Sequence, residues 1–386
     1  MRSIDLTWVS DYLPVRFYTN TLPRGVKWGY ILVHLEDYSV RLPQYSSFAK
    51  HIILDIHVHR FRHYNDYPLA VIRHYYLIMR KLAGKYRDKI AFVLLDQPFD
   101  PDYFTGSQYP DNVRRTYRYH VMFLRYAEDV CRRTSSRVIL VVQHRQSLRD
   151  AERSCVLIND LLSMLRDESV VYAIGVGSLC VNRCAREIAR YIQLVAGKYP
   201  HMRVHGFGVK LNVVDYLASN ILRRYSFDST SWTRPVCTRV QEILKTKKRW
   251  GCKDEHERQV YFIAFIARLA EKLKLRALAE ELWSIAEKVA TRNKHVYTHF
   301  QVLFPRIIIH EEPEWYWLEA EVDRIMSRPC NYVEVHVYRR YYVAKRIDGN
   351  YEICVAYRNP NMLSYRMVKP EELDNILRKI MNEEAP

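Results

Sequence analysis

The sequence contains no apolar run long enough to cross a bilayer, and its first residues lack the basic-then-apolar layout of a signal peptide. Both absences point to a soluble, cytoplasmic protein with no membrane partner. Its eight cysteines (131, 155, 180, 184, 237, 252, 330 and 354) include no C-x-x-C pair. Several fall at apolar helix or strand positions, where buried free thiols are the default. The Gly-rich turn of dinucleotide-binding folds is missing, which argues against a nicotinamide enzyme. Internal repeats and low-complexity tracts are missing too. Glycine is scarce, at 11 of 386 residues, and acids are outnumbered, with 43 Asp and Glu against 60 Lys and Arg.

What is present follows from that imbalance. The formal net charge of +17 says nothing about fold, but it favours a polyanionic partner. Tyrosine reaches 30 residues and recurs beside arginine, as in Arg114-Arg115-Thr116-Tyr117-Arg118-Tyr119 and Tyr338-Arg339-Arg340-Tyr341-Tyr342. Arginine neutralises phosphate while aromatic faces stack on unpaired bases, so nucleic acid is the expected partner. The plainer reading is a thermophile-style charged surface over a tyrosine-filled core. A chain of 386 residues can bury one large core with a smaller appendage.

From His51 the chain alternates between short β-branched runs and helical stripes. Strands are predicted at His51–Ile56, Lys89–Asp96, Arg137–Gln143, Val170–Gly175, Arg203–Val209 and Phe227–Asp228. Helices fall between them, with Ala151, Cys155, Ile158, Leu162 and Leu165 forming one stripe and Ala185, Ile188, Ala189, Ile192 and Val195 another. A further helix is predicted through Val214, Leu217, Ala218, Ile221 and Leu222. Residues 1–50 read as irregular, apart from a strand at Tyr30–Val33. Six strand-then-element units in succession are the pattern of a parallel α/β fold. The preferred arrangement is a TIM-type (β/α)8 barrel, whose last two strands come from the N-terminal segment or from the region after Pro235. An open doubly wound sheet is the other arrangement the pattern allows. One long helical stretch is expected from about Glu257 to Arg292. After it the character changes: a strand near Arg306–Ile309, an acidic helix from Pro313 to Met326, alternating Val333, Val335 and Val337, and a hairpin turn at Arg346–Tyr351. The expected division is therefore an α/β barrel over 1–295 and a small α+β domain over 296–386, itself a candidate nucleic-acid-binding module.

Polar residues terminate four of the predicted strands: Asp55, Asp96, Gln143 and Asp228. Glycine turns, Gly175-Val176-Gly177 and Gly206-Phe207-Gly208, end two more. In a barrel all of these converge on the C-terminal mouth, where such folds keep their chemistry. Taken singly, each has a structural explanation; Asp228, for instance, caps a turn with Ser229 and Ser231. Together, three carboxylates in one mouth require different roles and different pKa values.

Their order and spacing resemble the tRNA-guanine transglycosylases. These are zinc-containing TIM-barrel enzymes that exchange guanine for a 7-deazaguanine, with kin that insert such bases into DNA. The resemblance covers roughly His51 to Pro235. It implies that Asp228, in Phe227-Asp228, is the nucleophile and that Asp55 is the general acid/base. Asp96 (in Phe92-Val93-Leu94-Leu95-Asp96) and Gln143 (in Val141-Val142-Gln143) would read the guanine edge. Gly175 and Gly177 would offer backbone contacts, Phe207 would stack on the base, and His59 or Phe61 would supply a second ring. Arg234, just after the nucleophile, is a candidate phosphate contact. The implied chemistry is attack of a carboxylate on the anomeric carbon, with a covalent sugar intermediate and a base drawn from its stack. Asp228-Ser229-Thr230-Ser231-Trp232 is closer to the DNA-acting kin, so DNA is favoured over tRNA.

The sequence departs from that pattern in three places, one being that no RNA-binding module like that of the archaeal tRNA enzymes is recognisable at the C-terminus, which also favours DNA. Ile56-His57-Val58 stands where the family has Ser-Gly-Gly. The structural zinc of the family has no matching cysteine cluster; Cys237, Cys252 and His256 are its nearest remnant, spaced too loosely to assign a metal, and zinc stays an open cofactor. Two other readings therefore stay open. His57 and His59, alternating on a strand, could begin the metal cage of an amidohydrolase-type barrel completed by His144, His205 and Asp228. Alternatively, the barrel is a catalytically degenerate scaffold that binds nucleic acid. The oligomeric state is open, a homodimer included.

Overall fold

The computed structural model describes residues 3–56, 67, 69–98, 111–144, 147–180, 184–229, 232, 255–303, 306–310, 332–346, 348–356 and 363–383. The chain divides into two compact units, Met1–Ser231 with Arg268–Ala279, and Trp232–Ala267 with Glu280–Pro386. The division falls at Trp232, ahead of the boundary expected at 295, and part of one helical stretch returns to the first unit.

The first unit is built on eight parallel strands: β1 (Arg16–Tyr18), β2 (Tyr30–His34), β3 (His51–Asp55), β4 (Ile90–Val93), β5 (Arg137–Val142), β6 (Val171–Val176), β7 (Arg203–Gly206) and β8 (Tyr225–Asp228). Each pairs in parallel with its sequence neighbour from β2 to β8, and β8 pairs with β1. A single parallel bridge, Thr19 to Ile31, joins β1 to β2, with Leu32 N–H donating to Thr19 O at 3.0 Å. The sheet is thus a nearly closed, barrel-shaped α/β layer, consistent with a TIM-type barrel and not with an open doubly wound sheet.

Both strands beyond the six read from sequence come from the N-terminal segment, which is not irregular. β1 escapes a periodicity reading because it has three residues and starts just after Pro14. No helix separates β1 from β2. The connection is pinned by Trp28, fully buried, whose Nε1–H donates to Phe17 O at 2.8 Å. A two-residue pairing of Ile4–Asp5 with Val26–Lys27 lies alongside.

Helices α1 (Tyr38–Tyr45), α2 (Leu69–Tyr86), α3 (Asn112–Thr134), α4 (Leu148–Met164) and α5 (Ala185–Lys198) follow β2 to β6 in turn. Two start on side-chain caps, Asp111 for α3 and Ser147 for α4, which satisfy first-turn N–H groups. The predicted α5 stripe of Ala185, Ile188, Ala189, Ile192 and Val195 is buried throughout, as the 3.6-residue period requires. The helix expected before β8 is instead a 3₁₀ segment, Leu211–Tyr216, and one helical turn, α6 (Ser219–Leu222). Asn212, Val213 and Val214 are weak helix formers, and i→i+3 bonds such as Leu217 N–H to Val214 O take over.

The base of the barrel is filled by polar aromatics. Tyr18 Oη lies 2.9 Å from His51 Nδ1 and 2.7 Å from Tyr172 Oη, and Arg16 Nη1 donates to Tyr172 Oη at 2.6 Å. His51 stacks on Tyr172 at 4.2 Å. Burial first, and then the charges of Arg16, Arg137 and Arg203, hold the His51 imidazole well below its ordinary pKa, so it is neutral there.

The second unit carries a five-stranded sheet, β9 (Arg306–Ile309), β10 (Tyr332–Val337), β11 (Tyr341–Arg346), β12 (Tyr351–Ala356) and β13 (Leu363–Val368). Only β9–β10 is parallel; the remaining pairs are antiparallel. The expected hairpin joins β11 to β12, with Gly349 at φ +87°. Leu373, Leu377 and Ile380 of α10 (Leu373–Glu383) pack on Val343, Ile353 and Val368. The single helical stretch expected before the sheet is broken in two, α7 (Glu255–Lys272) and α8 (Arg276–Ala290), where Lys274 turns left-handed at φ +59°. A further helix, α9 (Lys294–Leu303), leads to β9. The predicted helix at 313–326 lies outside the described residues. Among the described residues no helix is long and apolar enough to cross a membrane.

Candidate functional site

Parallel strands deliver their last residues to one rim, and the side-chain period of two selects which of those residues face inward. Asp55 ends β3 and His34 ends β2 in register opposite it. His34 Nδ1 stands 3.6 Å from Asp55 Oδ2, and each side chain is 16% exposed. Asn20 Nδ2 lies 3.1 Å from the other ring nitrogen of His34. Burial pulls the His34 pKa down. The hydrogen bond and charge of Asp55, with the charges of Asp228 and Glu36, outweigh it and leave the pKa above the ordinary value. Asp55→Asn removes the largest of those opposing effects, so the His34 pKa is expected to fall. An imidazole titration followed by NMR, showing an unchanged pKa, would refute the pairing.

Asp228 ends β8. Its Oδ1 accepts the backbone N–H of Gly208 at 3.0 Å and lies 3.5 Å from His205 Nε2. His205 is fully buried, with Nδ1 3.0 Å from Ser226 Oγ. Gly208 is required here on two grounds. Its φ is +66°, and a Cβ would come within 2.7 Å of the Cys180 Cβ. That turn is what aims its N–H at Asp228. The Asp228 side chain stays 14% exposed, open to the mouth.

The third acid has a different setting. Asp96 follows β4 and is 6% exposed. Its Oδ2 accepts Gln143 Nε2–H in a short hydrogen bond, and Gln143 Oε1 accepts Ser178 Oγ–H at 2.7 Å. The backbone N–H of Gln143 donates to Ser154 Oγ at 3.1 Å, which holds the fully buried side chain in place. Burial, aided by the charge of Asp55 and opposed by the Gln143 hydrogen bond, pushes the Asp96 carboxyl up to about 8.

Two predicted glycines shape the space. A Cβ on Gly175 would stand 2.6 Å from Phe207 Cε2, so the Phe207 ring lies over β6. That half-buried ring meets His205 edge-on at 4.6 Å. A Cβ on Gly177 would stand 2.4 Å from Gln143 Nε2. Because that amide is bonded at both ends, Gly177→Ala is expected to cost about 1–3 kcal/mol, measurable by chemical denaturation. An unchanged midpoint would show that Gln143 is free to move.

The rim therefore assembles Asp55, Asp96, Gln143, Gly175, Gly177, Phe207 and Asp228. Asp55 acts electrostatically on Asp96, and Asp55 and Asp228 both act on His34. His34, Asn20 and Ser178 belong to the site although sequence reasoning did not select them, and Gly208, expected there as part of a turn, adds its N–H to Asp228. His34 carried a usable signal, since it ends the apolar run Tyr30–Val33 as Asp55 ends His51–Leu54. His57, His59, Phe61 and Arg234 lie outside the described residues.

His144 does not join His205. Gln143 takes the inward position, and the next residue faces the helices, where His144 stacks on Tyr191 of α5 at 3.9 Å. Burial lowers its pKa to about 4. The histidine cage expected of a metallohydrolase thus loses one of its members. Among the described residues no group of three or more His, Cys, Asp or Glu is placed to hold a metal ion. Cys237 and Cys252 lie outside those residues, and His256 is on α7. Of the other described cysteines, Cys131, Cys155 and Cys354 are buried, while Cys180 and Cys184 are exposed.

A scan of the sequence against protein-family models finds no match, and a comparison with curated proteins finds none either.

Proposed function

We propose that the first unit is a TIM-type (β/α)8 barrel and that the protein is a guanine transglycosylase. It would exchange guanine in a polynucleotide, DNA in preference to tRNA, for a 7-deazaguanine base. The observation that carries this reading is the pairing in one mouth of two unlike carboxylates. Asp228 is partly open and hydrogen-bonded by a backbone N–H, while Asp96 is dry and locked to a buried glutamine. A nucleophile needs the first environment, and recognition of a planar, hydrogen-bonding base suits the second.

In the reaction, an Asp228 oxygen attacks the sugar C1′ and the C1′–N9 bond breaks. The bonding pair stays on the departing guanine, which takes a proton from Asp55. His34 holds Asp55 in position and tunes its proton affinity. The incoming base loses its N9 proton to Asp55, attacks C1′ and releases the Asp228 carboxylate. Atoms and charge balance over the two steps, and no metal participates in either. Asp96, Gln143 and Ser178 read the base edge, Gly175 and Gly177 let it approach the backbone, and Phe207 covers one face. The base must first leave its stack, so a flipped or looped nucleotide is the substrate.

The test is incorporation of labelled guanine into single-stranded DNA, duplex DNA and tRNA by the full-length protein. Label in any of these polymers supports the proposal, and DNA should be the best acceptor. No label in any polymer, with binding retained, would leave the degenerate binding scaffold as the better reading.

A further inference from the structure

A hollow of about 550 Å³ opens beside the first turns of α3, within the size range of small-ligand sites. Arg114, Arg115 and Arg118 line it with Tyr117, Val121 and Met122. Spaced at i, i+1, i+4, i+7 and i+8, the arginines and the apolar pair form one stripe of the helix. The opposite face, with Val113, Thr116, His120 and Leu124, is buried. Val121 and Met122 stay 40% and 53% exposed, so the floor is apolar and the rim cationic.

Two of these charges have no counter-ion among the described residues. Among the described residues Arg114 and Arg115 make no ion pair, and Arg115 keeps a buried Nη1 without a hydrogen-bond partner. Among the described residues the one lining acid is Asp111, whose Oδ1 caps Arg114 N–H and whose Oδ2 accepts Arg153 Nη2–H at 2.7 Å. The helix end is therefore already capped, and the guanidinium groups of Arg114 and Arg115 are what remain for a ligand.

The position of the hollow connects it to the rim. Asn112 Nδ2–H donates to His144 O at 3.4 Å, one residue past Gln143. Gln97 N–H donates to Thr116 Oγ1 at 2.9 Å, one residue past Asp96. The turn of α3 that carries Arg114 and Arg115 is thus bonded to the two strand ends that present the base-reading pair.

We infer that this hollow seats a single-stranded stretch of the polynucleotide next to the nucleotide that enters the mouth. Arg114, Arg115 and Arg118 hold phosphates, and Tyr117 with Val121 and Met122 offers a stacking floor for an unpaired base. The inference rests on the proposed function for the identity of the polymer. Its own evidence is the cationic rim, the unpartnered guanidinium nitrogen and the hydrogen bonds to the rim of the barrel.

The experiment measures binding of a short fluorescein-labelled single-stranded oligodeoxynucleotide to the full-length protein by anisotropy across a salt series. Arg114→Gln/Arg118→Gln alters two exposed side chains, so folding should be preserved, and matching thermal midpoints would verify this. The double variant is expected to weaken binding roughly tenfold at moderate salt and to flatten the log–log salt slope by about 1.4. Tyr117→Ala should weaken binding while leaving that slope in place. A double variant with wild-type affinity and slope, or a wild type that binds no oligonucleotide, would overturn the inference. Guanine incorporation, measured in parallel, separates the two ideas. Arginine-dependent binding without incorporation sinks the exchange reaction and keeps the seat. Incorporation at unchanged KM in the double variant sinks the seat and keeps the reaction.

Discussion

Asp228→Asn is expected to lower base exchange by on the order of 10⁴-fold or more, the scale of removing a covalent nucleophile. The substitution is conservative for the scaffold. Asn keeps an oxygen for the Gly208 N–H, now 3.0 Å from Asp228 Oδ1, and β8 retains its pairing with β1 and β7. Polynucleotide binding should therefore survive, since the carboxylate contributes nothing to holding phosphates. In wild type, denaturing electrophoresis of the protein mixed with polynucleotide should trap a protein–nucleic acid adduct when no acceptor base is added. The variant should show none. Exchange at an undiminished rate in Asp228→Asn would remove this residue from the chemistry and the proposed reaction with it.

Asp96→Asn is expected to act in opposite directions on activity and stability. The dry carboxyl is the acceptor that a guanine edge would meet, and replacing it with an amide sets a donor against the base N–H groups. A loss of roughly 10²–10⁴ in kcat/KM follows, as for other buried polar contacts that read a substrate group. For stability, the sign follows from proton binding. The folded protein holds the Asp96 proton up to about 8, whereas an ordinary aspartate releases it near 3.8. Between those values the native state binds more protons than the unfolded chain, so stability falls as pH rises. Asparagine cannot ionise, and its side-chain oxygen still accepts from Gln143. The variant should match wild type at low pH and exceed it above pH 8 by up to roughly 5 kcal/mol. Denaturation curves across pH check this, and a variant less stable than wild type at alkaline pH would show that Asp96 is ionised and satisfied in the fold.

Most of the barrel was legible because strands buried on both faces must be apolar throughout. Ile52–Leu54, Ile90–Val93 and Val138–Val142 could hardly be anything else. The same logic exposed the chemistry, since a carboxylate or amide that ends such a run is held at the rim by its backbone. What stayed hidden depends on geometry that no periodicity encodes. β1 is too short to alternate, and the break at Lys274 needs a left-handed residue where lysine gives no warning. Ser178 reaches the site through loop conformation alone. His144 was misplaced because two adjacent polar residues at a strand end look equivalent until the pleat assigns one to each side.

The aromatic and arginine packing beneath the rim has a kinetic corollary. Tyr18, His51 and Tyr172 are bonded to one another beneath the rim, so in the proposed reaction both purines use the rim. In that reaction the departing purine leaves before its replacement enters. Initial rates measured against polynucleotide and incoming base should give parallel double-reciprocal lines, the mark of a vessel that empties before it refills.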